Sequence, residues 1–338
     1  MTRVTIADVA ARANLSTATV SKALRGLPVA PANRDRVLLV AQELGWCPNP
    51  HASRLASGRA GAIGLVMAYS GLWYDVELLS GVEAAAVASG YDLLVWTVQS
   101  LETRSATVLP AAIHQRVDGL VFMDFVGSPR QRDAIASLAV PTVAVGGDLA
   151  GSASFLIDNR SASKTAVRHL IDLGHTRIAL MSGAVAPSDF TPVPEERRAG
   201  YLAAHEDAGI LPDPHLQVDG GFTPDGAAAA LSRLLDLTPP PTAIFCLSDD
   251  MALGTIAAAA TRGLGIPEDI SVVGFDDHPL AGPFGLTTMR QPIAAMAEAA
   301  VRQLIERIQG QREEPTHHEF PVDLVVRRST APPALTAG

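Results

Sequence analysis

The stretch TIADVAARANLSTATVSKALR, residues 5–25, predicts two short helices joined by a tight polar turn. The apolar residues of the first helix recur at the spacing of one helical face, at Ile6, Val9, Ala10 and Ala13,. Thr5 precedes this helix and Asp8 follows three residues later, a variant of the capping box,. We therefore expect an amphipathic helix that begins after Thr5.

The second helix keeps a polar face outward. Ser16 is placed to cap it, and Val20 and Leu24 lie four residues apart on its inward side,. The outward side consists of Thr17, Ala18, Ser21, Lys22 and Arg25. Small hydroxyls and cations on a helix suit the major groove of DNA, where hydroxyls bond phosphates and a cation reaches guanine edges. The same pattern also fits an ordinary helical hairpin with a solvated polar face.

The distribution of charge favours the DNA-binding interpretation. Residues 1–59 hold eight Lys and Arg against three Asp and Glu, whereas the rest of the chain holds 18 against 32. A small basic segment on an acidic body is typical of a DNA-binding module joined to another domain. The acidic body repels the duplex, so contact with nucleic acid is confined to the N-terminal segment.

Length and composition narrow the class of protein. A chain of 338 residues that is 48% hydrophobic predicts two or three domains,. No apolar run is long enough to span a bilayer, and the N-terminus lacks the apolar core of a secretory signal,. Cys47 and Cys246 are too few and too far apart for a disulfide framework or a zinc site,. We expect a reduced, cytoplasmic protein without cofactors or metals, in which His317 and His318 are a solvated pair.

A third helix and a linker follow the first pair. Residues 31–45 predict a helix that ends at Gly45,, with an inward side made of Val37, Leu38, Val40, Ala41 and Leu44. Prolines at positions 48 and 50 stop this helix, and residues 51–57 are too short to persist as a helix alone in water,. Leu55 in this linker either packs on the N-terminal helices or acts as a wedge that enters a minor groove.

From residue 62 the pattern changes to strands that alternate with helices. The expected strands are 62–68, 92–98, 118–124, 141–147, 177–183, 242–250 and 269–277. The expected helices are 77–89, 161–173, 197–209, 251–264 and 293–308. Continuous apolar strands between amphipathic helices indicate parallel sheets covered on both faces. The pattern restarts near Asp158, which predicts two doubly wound lobes with a ligand cleft at the carboxyl ends of their strands,.

Over nearly its whole length, the chain resembles the lactose repressor/galactose repressor (LacI/GalR) family of bacterial transcription regulators. The motifs that carry the resemblance are TIADVAARANLSTATVSKALRG, PNPHASRLASG, IDNRSASKTAVRHLIDLGHTRIALMSG, RRAGYLAA, PTAIFCLSDDMALG, GLGIPEDISVVGFDD and LTTMRQPI. The resemblance implies an α/β protein with an all-α helix-turn-helix head and a two-lobed, periplasmic-binding-protein-like (type I) effector domain.

The resemblance implies the following domain boundaries. The head covers residues 1–46, the hinge helix or linker covers 47–59, and the effector-binding and dimerisation domain covers 60–330. Within that domain the N-lobe is expected at about 60–158 and 290–320, and the C-lobe at about 159–289 and 321–330.

The resemblance also implies roles for residues of the head and hinge. Thr17, Ala18 and Lys22 match positions that read operator bases. The positions that match phosphate contacts are Thr5, Ser16, Thr19 and Ser21. Lys22 stands where an arginine is commoner, so it lacks the bidentate fork to guanine but keeps a point charge. In the hinge, Asn49, Ala52 and Leu55 match the minor-groove segment, with Leu55 at the position of the intercalating leucine.

In the body the resemblance implies a cleft for a small effector, commonly a sugar or a nucleoside. The matching cleft residues are Trp73, Tyr74, Asp124, Arg197, Phe222, Ser248 and Asp276. Two departures put the identity of the effector in doubt. Ser248 stands where many members have asparagine, and Gly146 stands where many have aspartate, with Asp148 two residues on. Aromatic walls with carboxylates and an arginine favour a sugar.

The hypothesis is a repressor that binds a palindromic operator as a homodimer and is controlled allosterically by the effector. A sugar-binding protein without a DNA role shares the body fold, but it would need an export signal and no basic head.

A carbohydrate-active enzyme is a further alternative, because Asp249-Asp250 and Asp276-Asp277 are paired carboxylates,. Such pairs also arise from a ligand acceptor beside a helix cap. Ser161 to Lys164 matches an S-x-x-K pattern without its partner motifs and is interpreted as a helix start,. The sequence thus favours a protein that is not an enzyme.

Overall fold

A computed structural model describes most of the chain, which divides into two compact units, Met1–Ala60 and Gly61–Gly338. The described residues are 4–24, 26–46, 59–67, 71–97, 113, 116–125, 129–138, 140–149, 151–183, 191–311 and 316–334. Among them, no helix is both long and apolar enough to cross a membrane.

The first unit contains three helices, α1 (Ile6–Ala13), α2 (Thr17–Leu24) and α3 (Pro31–Glu43). The predicted capping box of α1 is present, because the backbone N–H of Thr5 donates to Asp8 Oδ2 at 2.8 Å and the Asp8 N–H donates to Thr5 Oγ1 at 3.4 Å. Ser16 caps α2 as predicted, since its Oγ accepts from the Thr19 N–H at 3.1 Å.

The core of this unit consists of small side chains from all three helices, namely Val9, Ala10, Ala13, Val20, Ala23, Val37, Val40 and Ala41. The inward position predicted for Leu38 is wrong, because its side chain is 50% exposed. One residue turns a helix by about 100°, so the position after buried Val37 faces away from the core.

The second unit is built on two six-stranded sheets. The first sheet comprises β1 (Ala62–Met67), β2 (Asp92–Thr97), β3 (Gly119–Met123), β4 (Thr142–Val145), β5 (Ala153–Ile157) and β11 (His317–Phe320). Its order is β11-β5-β4-β3-β1-β2, with every pair parallel. We call this sheet, with α4 (Trp73–Ala88), α5 (Pro129–Ala136) and α11 (Ile293–Ile308), the first lobe.

The second sheet comprises β6 (Ile178–Ser182), β7 (Gln217–Asp219), β8 (Ala243–Cys246), β9 (Ser271–Asp276), β10 (Thr287–Arg290) and β12 (Asp323–Val325). Its order is β12-β10-β9-β8-β6-β7, and only the β10–β12 pair is antiparallel. The second lobe adds α6 (Asn159–Asp172), α7 (Val193–Asp207), α8 (Pro224–Leu235), α9 (Asp249–Thr261) and α10 (Ala281–Phe284). The described chain passes between the lobes after β5, after β10 and after β11.

Burial follows the sheet order. The central strands β1, β3, β4, β8 and β9 are buried along their whole length, whereas the edge strands β2, β7, β11 and β12 are partly exposed. The near-continuous apolar runs therefore lie where both faces of a parallel sheet are covered. On edge strand β11, His318 is exposed but stacks on Phe155, with ring centroids 4.8 Å apart.

Two glycines allow helices to approach closely. A Cβ on Gly81 of α4 would lie 2.8 Å from the Cβ of Ala297 in α11. A Cβ on Gly200 of α7 would lie 2.2 Å from the carbonyl oxygen of Arg160 in α6. The next residue, Tyr201, is fully buried and donates from Oη to the carbonyl of Ile178 at 2.9 Å. Gly200 and Tyr201 thus fix α7 against α6 and β6.

The helix predicted at 77–89 begins earlier, at Trp73. Its N-cap residue is Leu72, whose side chain makes no capping hydrogen bond. The local start signal is therefore missing, and tertiary packing sets the start of the helix. As a result, Trp73 and Tyr74 lie in the first turn of α4.

We expect Tyr201→Phe to destabilise the second unit by about 1–3 kcal/mol, because the buried carbonyl of Ile178 loses its donor. The measurement is denaturant unfolding followed by tryptophan fluorescence. Tyr91→Phe, at a half-buried tyrosine before β2, is the control. Equal stability of the two variants would contradict the role of the Tyr201 hydroxyl.

Candidate functional site

The head presents the predicted base-reading residues on one exposed surface of α2. Thr17, Ala18 and Lys22 are all exposed, and Ala18 and Lys22 lie one helical turn apart,. Of the predicted phosphate contacts, Thr5 and Ser16 are exposed, while Thr19 and Ser21 are half-buried. The hydroxyls of Ser16 and Thr19 lie 2.8 Å apart at the start of the helix. This surface offers hydroxyls and one ammonium group to a partner.

The predicted minor-groove residues Asn49, Ala52 and Leu55 lie outside the described residues, as does Arg25. Their roles remain predictions.

In the second unit the carboxyl ends of the central strands of both sheets carry the predicted cleft residues. Asp124 follows β3, Gly146 follows β4, Ser248 follows β8 and Asp276 ends β9. In an open parallel sheet this edge is where ligands bind. Among the described non-glycine residues, five have positive φ, and all except the helix cap Asn14 belong to this region, namely Asp124, Phe222, Asp276 and Asp277. Strained backbone of this kind is concentrated at ligand sites.

Arg197 of α7 is buried, and the protein itself holds its guanidinium. Its Nε donates to Asn159 Oδ1 at 2.9 Å, and its Nη1 donates to the carbonyl of Leu247. Nη1 also lies 3.9 Å from Asp276 Oδ1, and the guanidinium stacks 3.5 Å from the ring centre of Phe275. Because Asn159 in turn donates to Glu196 at 3.0 Å, the orientation of Arg197 is fixed before any ligand binds.

Asp276 is the carboxylate beside this guanidinium. Its Oδ1 accepts from Gln291 Nε2 at 2.6 Å, and the residue is held at φ 122°. Burial raises the pKa of Asp276 to about 7, against the opposing effects of Arg197 and Gln291. When ionised, the carboxyl group can accept hydrogen bonds from ligand hydroxyls, and it gains a proton as the pH falls through about 7,.

Asp124 and Tyr74 form a second pair, in the first lobe. The Tyr74 hydroxyl donates to Asp124 Oδ1 at 3.4 Å. Burial raises the pKa of Asp124 to about 7, and the negative charge of Asp75 adds to the rise. Burial and the charge of Asp124 also raise the pKa of Tyr74 well above its ordinary value. Tyr74 is therefore a neutral phenol that can donate or accept a hydrogen bond.

Trp73 links the two lobes at the rim of the cleft. Its indole ring meets the imidazole of His278 edge to face, with ring centroids 5.1 Å apart. The Trp73 backbone also interacts with the carboxylate of Asp250 in α9 and opposes the rise that burial causes in the pKa of Asp250. Since Trp73 belongs to the first lobe and both partners to the second, these contacts hold the lobes together at this point.

Two other predicted cleft residues have structural contacts. The hydroxyl of Ser248 caps α9 by accepting from the Met251 N–H at 3.3 Å. Phe222 packs against Gly183, where a Cβ would lie 2.1 Å from the phenyl ring. Asp148 accepts from Ser154 at 2.9 Å and is exposed, so it does not replace the aspartate missing at position 146.

The paired carboxylates are occupied by structural contacts as well. Asp249 is fully buried and accepts from Thr288 Oγ1 at 2.7 Å and from the His278 N–H at 2.8 Å. Asp277 forms ion pairs with Arg290 and Arg327 at 2.6 and 2.7 Å. Burial would raise the pKa of Asp277, but the hydrogen bonds from these two arginines outweigh it and lower the pKa. These contacts give Asp249 and Asp277 packing roles.

The S-x-x-K pattern has an equally simple explanation. Ser161 donates to its helix cap Asp158, and Lys164 pairs with Asp207 at 2.6 Å. The serine therefore belongs to a capped helix start, as the sequence predicts.

The sequence-based site does not include Asn159, Glu196 and Gln291, although two of them lie in the IDN and LTTMRQPI motifs that carry the family resemblance. The polar residues Asn159 and Gln291 inside those motifs are the sequence signal that points to these contacts. Asn159 and Gln291 are buried and contact Arg197 and Asp276 respectively.

We expect Asp124→Asn to stabilise the protein more at about pH 8 than at about pH 5. A carboxyl group whose pKa is higher in the folded chain keeps its proton longer there, so stability falls as pH rises from about 4 to 7. The asparagine does not titrate and so avoids this loss of stability, and the difference in melting temperature between the variant and the unmodified chain should grow by about 3–5 °C between the two pH values. Thermal unfolding measures it, with exposed Asp236→Asn as control. A pH-independent difference would contradict the raised pKa.

Comparison with known proteins identifies the family and supports the fold. Residues 5–49 match the model described as bacterial regulatory proteins, lacI family, and residues 167–330 match a periplasmic binding protein-like domain. The HTH-type transcriptional repressor CytR of Escherichia coli K12 is 32% identical over 97% of each chain. The Lac repressor dimer bound to operator and the anti-inducer ONPF superposes with a TM-score of 0.87 at 26% identity, over 98% of this chain and all of that one. The CelR–cellobiose complex gives a TM-score of 0.69 at 30% identity, over 97% and 100%. The chain therefore belongs to the lacI family of bacterial regulatory proteins, as a DNA-binding transcriptional repressor with a small-molecule effector domain.

Proposed function

We propose that this repressor binds a palindromic operator as a homodimer and that a sugar or a related polyhydroxylated molecule in the cleft controls the binding. The observation that carries the proposal is the constellation of Arg197, Asp276, Asp124 and Tyr74 at the carboxyl ends of two parallel sheets. The same chain also carries a basic helical head in which the polar side of α2 is exposed. Such a chain acts in the cytoplasm, where the chromosome lies.

On DNA, α2 lies in the major groove with Thr17, Ala18 and Lys22 toward the bases. The ammonium of Lys22 reaches guanine acceptors as a point charge, and Thr17 and Ala18 offer methyl groups to a thymine methyl. Thr5, Ser16, Thr19 and Ser21 position the helix through phosphates. Asn49, Ala52 and Leu55 enter the minor groove between half-sites, where Leu55 wedges the central step.

In the cleft, the carboxylates of Asp124 and Asp276 accept hydrogen bonds from ligand hydroxyls. Arg197, held by its protein partners, donates to ring or hydroxyl oxygens. The aromatic side chains Trp73, Tyr74 and Phe222 cover the apolar faces of a sugar ring, and Ser248 lines the wall. The CelR complex contains cellobiose, which supports a carbohydrate as the first class to test.

The effector acts through the relative position of the lobes. Trp73 contacts His278 and Asp250 across the rim, so a ligand that binds one lobe arrangement better shifts the population toward it. The sign of the response depends on which arrangement favours DNA binding.

Dimerisation is supported by apolar side chains that remain exposed on the second unit. Leu280 and Phe284, at and within α10, are 47% and 51% exposed, and Val95 on edge strand β2 is 44% exposed. Large exposed apolar side chains on an edge strand and on a surface helix suit an interface between subunits. The related Lac repressor is described as a dimer on its operator.

A solute-binding protein without a DNA role is the second candidate, because the two-lobed body would serve it equally. Selection from a palindrome library separates the two. The repressor predicts a specific site whose affinity falls steeply with salt. Failure to select any site would favour the solute-binding protein.

We expect Lys22→Ala to weaken binding to the selected palindrome about 10- to 100-fold and to relax base preference at one position of each half-site. Lys164→Ala is a matched control, because Lys22 and Lys164 are the chain's two lysines and Lys164 lies on the body. Fluorescence anisotropy at several salt concentrations measures both variants. Equal affinities would refute the reading role of Lys22.

We expect Arg197→Ala to weaken the effector response about 10- to 100-fold while affinity for the palindrome stays intact, because charge-assisted hydrogen bonds to the ligand are lost. The neighbouring Arg198→Ala is the control, since Arg198 is exposed and bonds Gln217 at 2.7 Å. Retained DNA binding shows that the variant folds. A normal response of Arg197→Ala would refute the site.

A further inference from the structure

Gly146 and Asp124 form a pair on neighbouring strands of the first lobe. Gly146 follows β4 with φ +75°, and a Cβ built on it would lie 2.0 Å from Asp124 Oδ1 and 3.0 Å from the Tyr74 hydroxyl oxygen. The carboxylate of Asp124 therefore occupies the space that any side chain at position 146 would need. The acidic group at this part of the cleft therefore comes from Asp124, after β3, because the glycine after β4 leaves room for it.

This placement adds a carboxylate to a cleft that already holds two. Asp75 and Asp276 both act electrostatically on Asp124, and all three raise the pKa of Tyr74. Asp75 and Asp276 are buried, and Asp124 is half-buried. Asp250 adds a fourth carboxylate at the rim, where its backbone partner is Trp73.

The positive charge facing these carboxylates is partly balanced by one of them, Asp276. The guanidinium of Arg197 is bound by Asn159 and the Leu247 carbonyl, lies 3.9 Å from Asp276, and stacks on Phe275. His278 at the rim meets the edge of Trp73. Within the described residues, carboxylates thus outnumber the fixed cations around the cleft.

We propose that the Gly146–Asp124 pair determines the chemical class of the effector, admitting an uncharged polyhydroxylated ligand and rejecting its phosphorylated or carboxylated forms. The inference rests on the proposed function and deepens it. The carboxylate of Asp124 accepts hydrogen bonds from neutral hydroxyl groups. At about pH 8, above the raised pKa of Asp124, an ionised phosphate or carboxylate has no proton to donate there and is repelled by the surrounding carboxylates,.

The size of this discrimination follows from Coulomb's law. Two like charges about 6 Å apart at an effective dielectric constant of about 20 disfavour each other roughly 100-fold, before screening by salt. An anionic ligand is therefore expected to bind at least about tenfold more weakly than its neutral parent.

The test uses the whole chain and matched ligand pairs at about pH 8, where these carboxylates are ionised, in a thermal-shift screen followed by calorimetry,. The neutral probes are glucose, cellobiose, ribose and adenosine, each compared with its phosphate monoester, and glucuronate supplies a carboxylate. A neutral compound should bind and raise the melting temperature, with its phosphate ester at least about tenfold weaker. Asp124→Asn should reduce that ratio, because one carboxylate is removed.

A second arm tests the pair itself. Gly146→Ala should displace the Asp124 carboxylate and weaken binding of the neutral compound at least about tenfold, the loss expected when a hydrogen bond to a charged group is broken. Gly151→Ala is the matched control, because Gly151 has φ +83° and open space where its Cβ would lie. Both variants bear the left-handed strain of an alanine, but only the first has a clash.

Three outcomes would overturn the proposal. They are tighter binding of an anionic member of any pair, binding by none of the neutral compounds, and equal ligand affinities for Gly146→Ala and Gly151→Ala. Binding of the same preparations to the selected palindrome is measured in parallel. If palindrome binding persists, the repressor function stands and only the effector class is wrong. Loss of palindrome binding by the unmodified chain would overturn both.

Discussion

The guanidinium of Arg197 is buried in the cleft, and a buried charge is stable only when hydrogen bonds and an opposite charge replace the water it has lost. Asn159, the carbonyl of Leu247 and Asp276 supply these contacts, and Phe275 supplies a ring face. The four partners come from α6, from the segment after β8 and from β9. One side chain therefore contacts three parts of the second lobe, each of which has one end at the cleft.

The packing around α7 serves the same requirement. Gly200 lets α7 approach the backbone of α6, and Tyr201 fixes it to β6 by a buried hydrogen bond. This close approach brings Asn159 within reach of Arg197. Such a buried polar cluster contributes little net stability, because desolvation offsets attraction. Its effect is to hold the donors and acceptors in place, so little ordering remains when a ligand binds.

Local patterns in the sequence were sufficient for the head helices, their caps and the buried central strands, because each depends on neighbours a few residues away. The inward position predicted for Leu38 is wrong because a run of apolar residues on a helix does not by itself show which of them face the core. The start of α4 at Trp73 and the edge strands β7 and β11 depend on tertiary contacts. The cleft residues were found through family resemblance. The closeness of Asp124 to Gly146 was not predictable, since it arises between parallel strands separated by more than 20 residues.

The chain crosses between the two lobes three times, after β5, β10 and β11. A single connecting segment would let the lobes bend and twist independently, whereas three separate connections restrict twisting of one lobe against the other. The relative motion of the lobes is thereby reduced to nearly one mechanical coordinate. A ligand that contacts both walls would act on that same motion. When one lobe rotates about these connections, a small displacement of atoms close to them corresponds to a larger displacement of atoms farther away.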